Sequence, residues 1–81
     1  MEAVGAIRSF ITSNFYVAEP SALADEASLL DSGIIDSTGV LEVIAFLEGN
    51  FAIQVQDEEM LPDNLDSIGK IARFVERKRT G

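Results

Sequence analysis

The chain has 81 residues, with 14 Asp and Glu against 6 Lys and Arg, a formal net charge of −8, and no His, Cys or Trp. That length suits one domain over residues 1–81. The missing residue types exclude a disulfide framework, a Cys or His zinc site, a catalytic Cys and a Ser-His-Asp triad, and the acidity argues against nucleic acid, whose phosphates call for clustered positive charge.

The apolar residues repeat at helical spacing. Val4, Ile7, Ile11 and Phe15, with Ala3 and Phe10 beside them, predict a first helix from Glu2 to Asn14 or Phe15. Pro20 places its end before that point. Residues 16–36 have no sustained period but carry Leu23, Leu29, Leu30, Ile34 and Ile35. A connection that apolar is expected to lie over the core, and long connections inside small domains are often functional. Val40, Ile44, Leu47 and Phe51, flanked by Val43, predict a second helix from Ser37 to about Phe51. Thr38, Leu41, Glu42, Ala45 and Glu48 fall off its apolar stripe, with Leu41 at the border. Phe51 is expected to be core, so its truncation should cost about 3–5 kcal/mol.

Ala52 to Gln56 alternate like a strand, but a lone strand has no partner, so this segment is read as extended loop. Asp57 to Leu61 suit a one-turn helix with acids at its N-terminal end, closed by Pro62. A last helix is expected to begin between Asn64 and Ser67, with Leu65, Ile68, Ile71, Ala72 and Val75 as its stripe and Phe74 beside it. The predicted fold is all-α: a bundle of three main helices and one short helix, with a long first connection.

Charge is unevenly placed. No Lys or Arg lies between Arg8 and Lys70, and the other bases are Arg73, Arg77, Lys78 and Arg79. The acidic stretch reads either as a solvated surface or as a face that steers basic partners. The basic cluster reads as cations complementing the dipole of a terminal helix.

Catalysis by a Ser requires a base to take its proton, and without His only Lys or a carboxylate is available. A fluorophosphonate probe is therefore expected to leave Ser37 unlabelled. Asp31 and Glu42 match the first and last ligand positions of an EF-hand loop, but Gly33, Ile35 and Asp36 fail the positions between, so no metal site is expected. What remains is the segment from Leu29 to Glu42. Its Asp36-Ser37 pair before an apolar-periodic run reads, taken alone, as an ordinary helix N-cap.

The wider segment resembles the phosphopantetheine carrier family of acyl, aminoacyl and peptidyl carrier proteins. In that family an Asp-Ser pair opens the second helix of a four-helix bundle. The likeness continues through Glu42, Phe46-Leu47-Glu48, Phe51 and the acidic turn Asp57-Glu58-Glu59, and covers nearly the whole chain. The resemblance implies that Ser37 accepts 4′-phosphopantetheine from coenzyme A and that Asp36 is recognised by the transferase. It also implies that Thr38, Leu41, Glu42, Ala45 and Glu48 meet partner enzymes. Those partners would be a phosphopantetheinyl transferase, an acyl- or aminoacyl-activating ligase, and cargo-processing enzymes with basic docking patches. The chain itself would be a non-catalytic shuttle, cytoplasmic, monomeric and without a membrane span. Thr38 and Gly39 stand where many fatty-acid-type carriers have Leu and Asp, and Ala45 where a large aliphatic residue is common. These departures imply a specialised freestanding carrier. Its cargo is expected to be an acyl group of fatty-acid, polyketide or related biosynthesis, with an aminoacyl or peptidyl group as the alternative. A further alternative is an unmodified acidic adaptor that binds a basic partner through Glu42 and Glu48.

Overall fold

A computed structural model describes residues 2–80, without the side chains of Glu2 and Thr80; Met1 and Gly81 lie outside the described residues. The elements run α1 (Glu2–Asn14), a 3-10 turn (Pro20–Ala22), α2 (Ser37–Phe51), a second 3-10 turn (Asp57–Glu59), α3 (Pro62–Leu65) and α4 (Ile68–Thr80). There is no strand among the described residues. The all-α bundle expected from periodicity is therefore the fold, and residues 52–56 are loop rather than strand, as expected, although Ala52 itself is left-handed, with φ 57°.

Helix α4 packs against α1, α2 and α3. Its Ile68, Ile71, Ala72, Phe74 and Val75 are buried, and they meet Ala3, Ile7 and Ile11 of α1 and Val43, Ile44 and Leu47 of α2 in one core. The first connection lies over that core, as its composition predicts: Leu29 and Ile35 are buried within it. Outside the core, half-buried phenylalanines join α1 to α2. Phe10 stacks on Phe46 with ring centres 4.2 Å apart, while Phe15 meets Phe10, and Phe51 meets Phe46, edge to face at 6.0 Å.

Three sequence expectations need correction. The one-turn helix expected within 57–61 is a 3-10 turn over Asp57–Glu59, and it is followed by a short α-helix at Pro62–Leu65 that the sequence reading did not separate. Pro62 opens that helix instead of closing the previous element, because the first position of a helix has no use for the N–H that proline lacks. The last helix, by contrast, opens within the expected window: Ser67 caps it, its Oγ accepting the Lys70 amide at 3.0 Å, and Ile68 is its first residue. On α2, Val43 is core rather than flank, whereas Phe51 is only half-buried, with the Arg79 guanidinium over its ring.

Ion pairs occupy most of the cations. Arg8 pairs with Asp25, Arg73 holds Glu26 through both guanidinium nitrogens at 3.0 Å, and Lys78 Nζ donates to Glu59 at 2.8 Å. Arg77, Lys78 and Arg79 fill the last turn of α4, where cations offset the helix dipole. Glu59 also accepts the Gln56 amide at 2.9 Å. The bond from Lys78 first, and that amide second, hold the Glu59 carboxyl below its ordinary value of 4.5. Arg73 does the same for Glu26.

Both groups are lower in the folded chain than in the unfolded one. Their contribution to stability is complete above pH 4.5 and disappears as pH falls through the lowered folded values. In thermal melts across acid pH, the midpoint is expected to drop below pH 4.5, and Glu59→Gln should flatten that decline. An acid limb identical in the variant would remove Glu59 from this role.

Candidate functional site

The turn into α2 is built locally. Gly33 has φ +78°, a left-handed conformation that glycine adopts without a Cβ penalty, and it reverses the chain ahead of Ile34. Ile35 then buries, and its amide donates to the Leu29 carbonyl at 3.1 Å. Asp36 follows as N-cap in extended conformation, its Oδ1 accepting the Gly39 amide at 2.7 Å. Ser37 is therefore the first residue of α2. It is exposed, and its hydroxyl has no hydrogen-bond partner among the described residues.

A serine at this position faces the positive end of the helix dipole. With Asp36 taking the Gly39 amide, the amides of the first two helical residues are those left without an intrahelical acceptor. An esterified phosphate on Ser37 Oγ would add negative charge where the backbone favours it. The residues present thus fit a phosphodiester-linked group: an exposed, unengaged hydroxyl at a capped helix start.

Beside Ser37 opens a groove of about 320 Å³. Val40 and Leu41 of α2, Leu30 of the first connection, and Met60, Leu61 and Leu65 around α3 form its apolar walls. Leu41 is 60% exposed, Leu61 50% and Leu30 38%. Large aliphatic side chains this open, gathered round one hydroxyl, form a surface suited to contact rather than to core.

Thr38, Leu41, Glu42, Ala45 and Glu48 are all exposed on α2, on the side away from Val43, Ile44 and Leu47. Leu41 alone of the five also lines the groove. Glu48 has a second engagement: its Oε2 accepts the Val55 amide at 3.0 Å and fastens the extended segment to α2. Sequence reasoning missed Leu30, Met60 and Leu61 as neighbours of Ser37. In the Leu29-Leu30 doublet one side chain is buried and the other exposed, and no local pattern says which.

Gly39 has a role that sequence comparison alone did not supply. It is buried, and a Cβ there would lie 2.9 Å from Phe15 Cε1 and 3.2 Å from Ile35 Cγ2. The missing side chain is space that the Phe15 ring fills, so the position is more than a lost carboxylate.

Two D-alanyl carrier proteins, from Streptococcus pyogenes serotype M5 (strain Manfredo) and serotype M1, are each 36% identical to this chain over 61 residues. The aligned region covers 75% of this chain and 76% of each relative. The chain belongs to the phosphopantetheine carrier-protein family. No family model matches it. Carrier proteins of this family carry a covalent 4′-phosphopantetheine arm, the cofactor that the resemblance implied. No helix among the described residues is long and apolar enough to cross a membrane.

Proposed function

We propose that Ser37 is the attachment point of the phosphopantetheine arm and that the chain shuttles a thioester-bound cargo between enzymes as a cytoplasmic monomer. The observation that supports this most directly is the exposed, unpartnered Ser37 hydroxyl at the capped start of α2, on the rim of an apolar groove. With a magnesium-dependent transferase, Ser37 Oγ gives up its proton to a base of that enzyme and attacks the pantetheine-bearing phosphorus of coenzyme A; the pyrophosphate P–O bond breaks and adenosine 3′,5′-bisphosphate leaves. The terminal thiol of that arm then carries the cargo. Because the chain has no Cys, no thiol of its own competes for the thioester.

The relatives' name favours an aminoacyl cargo, the alternative in the sequence reading. An acyl cargo remains a second reading, favoured by the apolar groove beside Ser37. Partners would be the transferase, an acyl- or aminoacyl-activating ligase and cargo-processing enzymes. They would meet Thr38, Leu41, Glu42, Ala45 and Glu48. Each exposed charge contributes little affinity, but together they guide encounter and permit rapid release, which suits a shuttle.

Intact-mass measurement tests the reading. Incubation with coenzyme A, magnesium and a broad-specificity transferase is expected to add one phosphopantetheine. Expression in the native host followed by mass analysis of the arm then separates an amino acid from an acyl chain. A chain that stays bare in both settings would favour the unmodified adaptor.

Asp36 separates capping from recognition. Asp36→Ala loses the cap to Gly39 and is expected to cost about 1 kcal/mol, with slower loading. Asp36→Asn keeps an accepting oxygen and is expected to fold like wild type, yet still load slowly because the charge is gone. Loading of Asp36→Asn at the wild-type rate would leave Asp36 with the cap alone.

A further inference from the structure

Asp66, at the C-terminal end of α3, makes an unusual set of contacts with the first connection. Ser28 Oγ donates to its Oδ1 at 2.9 Å and its Oδ2 at 2.8 Å, and the Leu30 amide donates to Oδ1 at 2.9 Å. Its backbone carbonyl accepts the Leu29 amide at 2.6 Å. Three consecutive residues of the connection are thus bound to one residue that follows them by more than thirty positions. Ser28 Oγ in turn accepts the Asp31 amide at 3.0 Å.

The network leads to the modification site in two ways. First, the Leu29 carbonyl accepts the Ile35 amide at 3.1 Å, and Ile35 immediately precedes Asp36 and Ser37. Second, the groove beside Ser37 has Leu30 on one wall and Leu65, the neighbour of Asp66, on another. The Asp66 contacts therefore hold together the two elements that frame Ser37. Elsewhere the connection is fastened further from that site, by the Gly69 amide on the Asp25 carbonyl at 2.7 Å and by Arg73 on Glu26 at 3.0 Å.

We propose that Asp66 is a positioning residue for Ser37, its carboxylate fixing Ser28 and Leu30 against α3 and so setting the turn that presents the hydroxyl. This rests on the carrier reading of Ser37. Asp66 acts at a distance from the hydroxyl, through the Leu29–Ile35 link. Hydrogen bonds to a charged acceptor are among the stronger ones, which suits the carboxylate to hold an otherwise aperiodic loop.

The full chain is tested with coenzyme A, magnesium and a broad-specificity phosphopantetheinyl transferase. Asp66→Ala is expected to lower kcat for modification by about ten-fold with KM changed less than about two-fold, because the face that meets the transferase is intact while the hydroxyl is misplaced. Asp66→Asn still offers an accepting oxygen and is expected to stay within about three-fold of wild type. Arg73→Ala breaks the outer, exposed ion pair and is expected to leave both constants within about two-fold. Amide hydrogen exchange supplies a readout that needs no transferase. In Asp66→Ala the Ile35 amide is expected to lose about ten-fold protection, while the Ile71 amide, bonded to the Ser67 carbonyl, keeps its own. Should Asp66→Ala fail to fold, Ser28→Ala removes a donor to the same carboxylate and is expected to act in the same direction. A folded Asp66→Ala with unchanged kcat, or with Ile35 protection intact, overturns the proposal. Failure of the wild-type chain to be modified overturns the carrier reading instead, and the exchange measurement still judges the positioning.

Discussion

Ser37→Ala is expected to keep its unmodified mass when coenzyme A, magnesium and a transferase convert the wild-type chain fully. The effect on modification is complete because one oxygen forms the ester. The effect on folding is expected to be small. The Ser37 hydroxyl bonds to nothing among the described residues, and the helix cap belongs to Asp36. An exposed substitution of this kind changes stability by about 0.5 kcal/mol or less, or about 4 °C at most in the melting temperature of so small a domain. Modification of Ser37→Ala at another residue would refute the assignment, and so would a large loss of stability, which would place the hydroxyl in packing.

The second large effect falls on the core. Phe74 is 2% exposed and is the largest of the fully buried side chains. Phe74→Ala is expected to cost about 3–5 kcal/mol, combining lost transfer energy with a cavity. Domains have about 0.05–0.15 kcal/mol of stability per residue, so this one substitution removes much of what holds 81 residues folded. Phe51→Ala is expected to cost roughly half as much, since its ring is half-buried and its stack with Phe46 is edge-on. Urea unfolding of the two variants checks the order. Equal costs would contradict the packing described for α2 and α4.

The start of α2 was legible in the sequence because capping is local chemistry: an Asp followed by a periodic apolar run carries its own signal. The extended reading of residues 52–56 rested on an equally local argument, the absence of a pairing partner. What failed depended on distant residues. Pro62 looked like a stop, and only the following residues folding back onto α4 show it to be a start. Leu30 is exposed with its amide held by Asp66, far along the chain, so no window around Leu30 contains that partner. Phe51 matched the helical stripe but is the last residue of α2 and only half-buried, with the Arg79 guanidinium over its ring. Val43, at the edge of the predicted stripe, is buried because α2 presents a slightly rotated face to its neighbours.

The packing of Phe15 against Gly39 constrains how this chain could diverge. Introducing an acidic side chain at position 39 places a Cβ 2.9 Å from the ring, so the change is penalised unless position 15 shrinks or swings away in the same lineage. Phe15 reduced first would leave a gap beside the start of α2, and Gly39 enlarged first would wedge it. The two sites are epistatic, and the route to an Asp at position 39 passes through a less stable intermediate whichever step comes first.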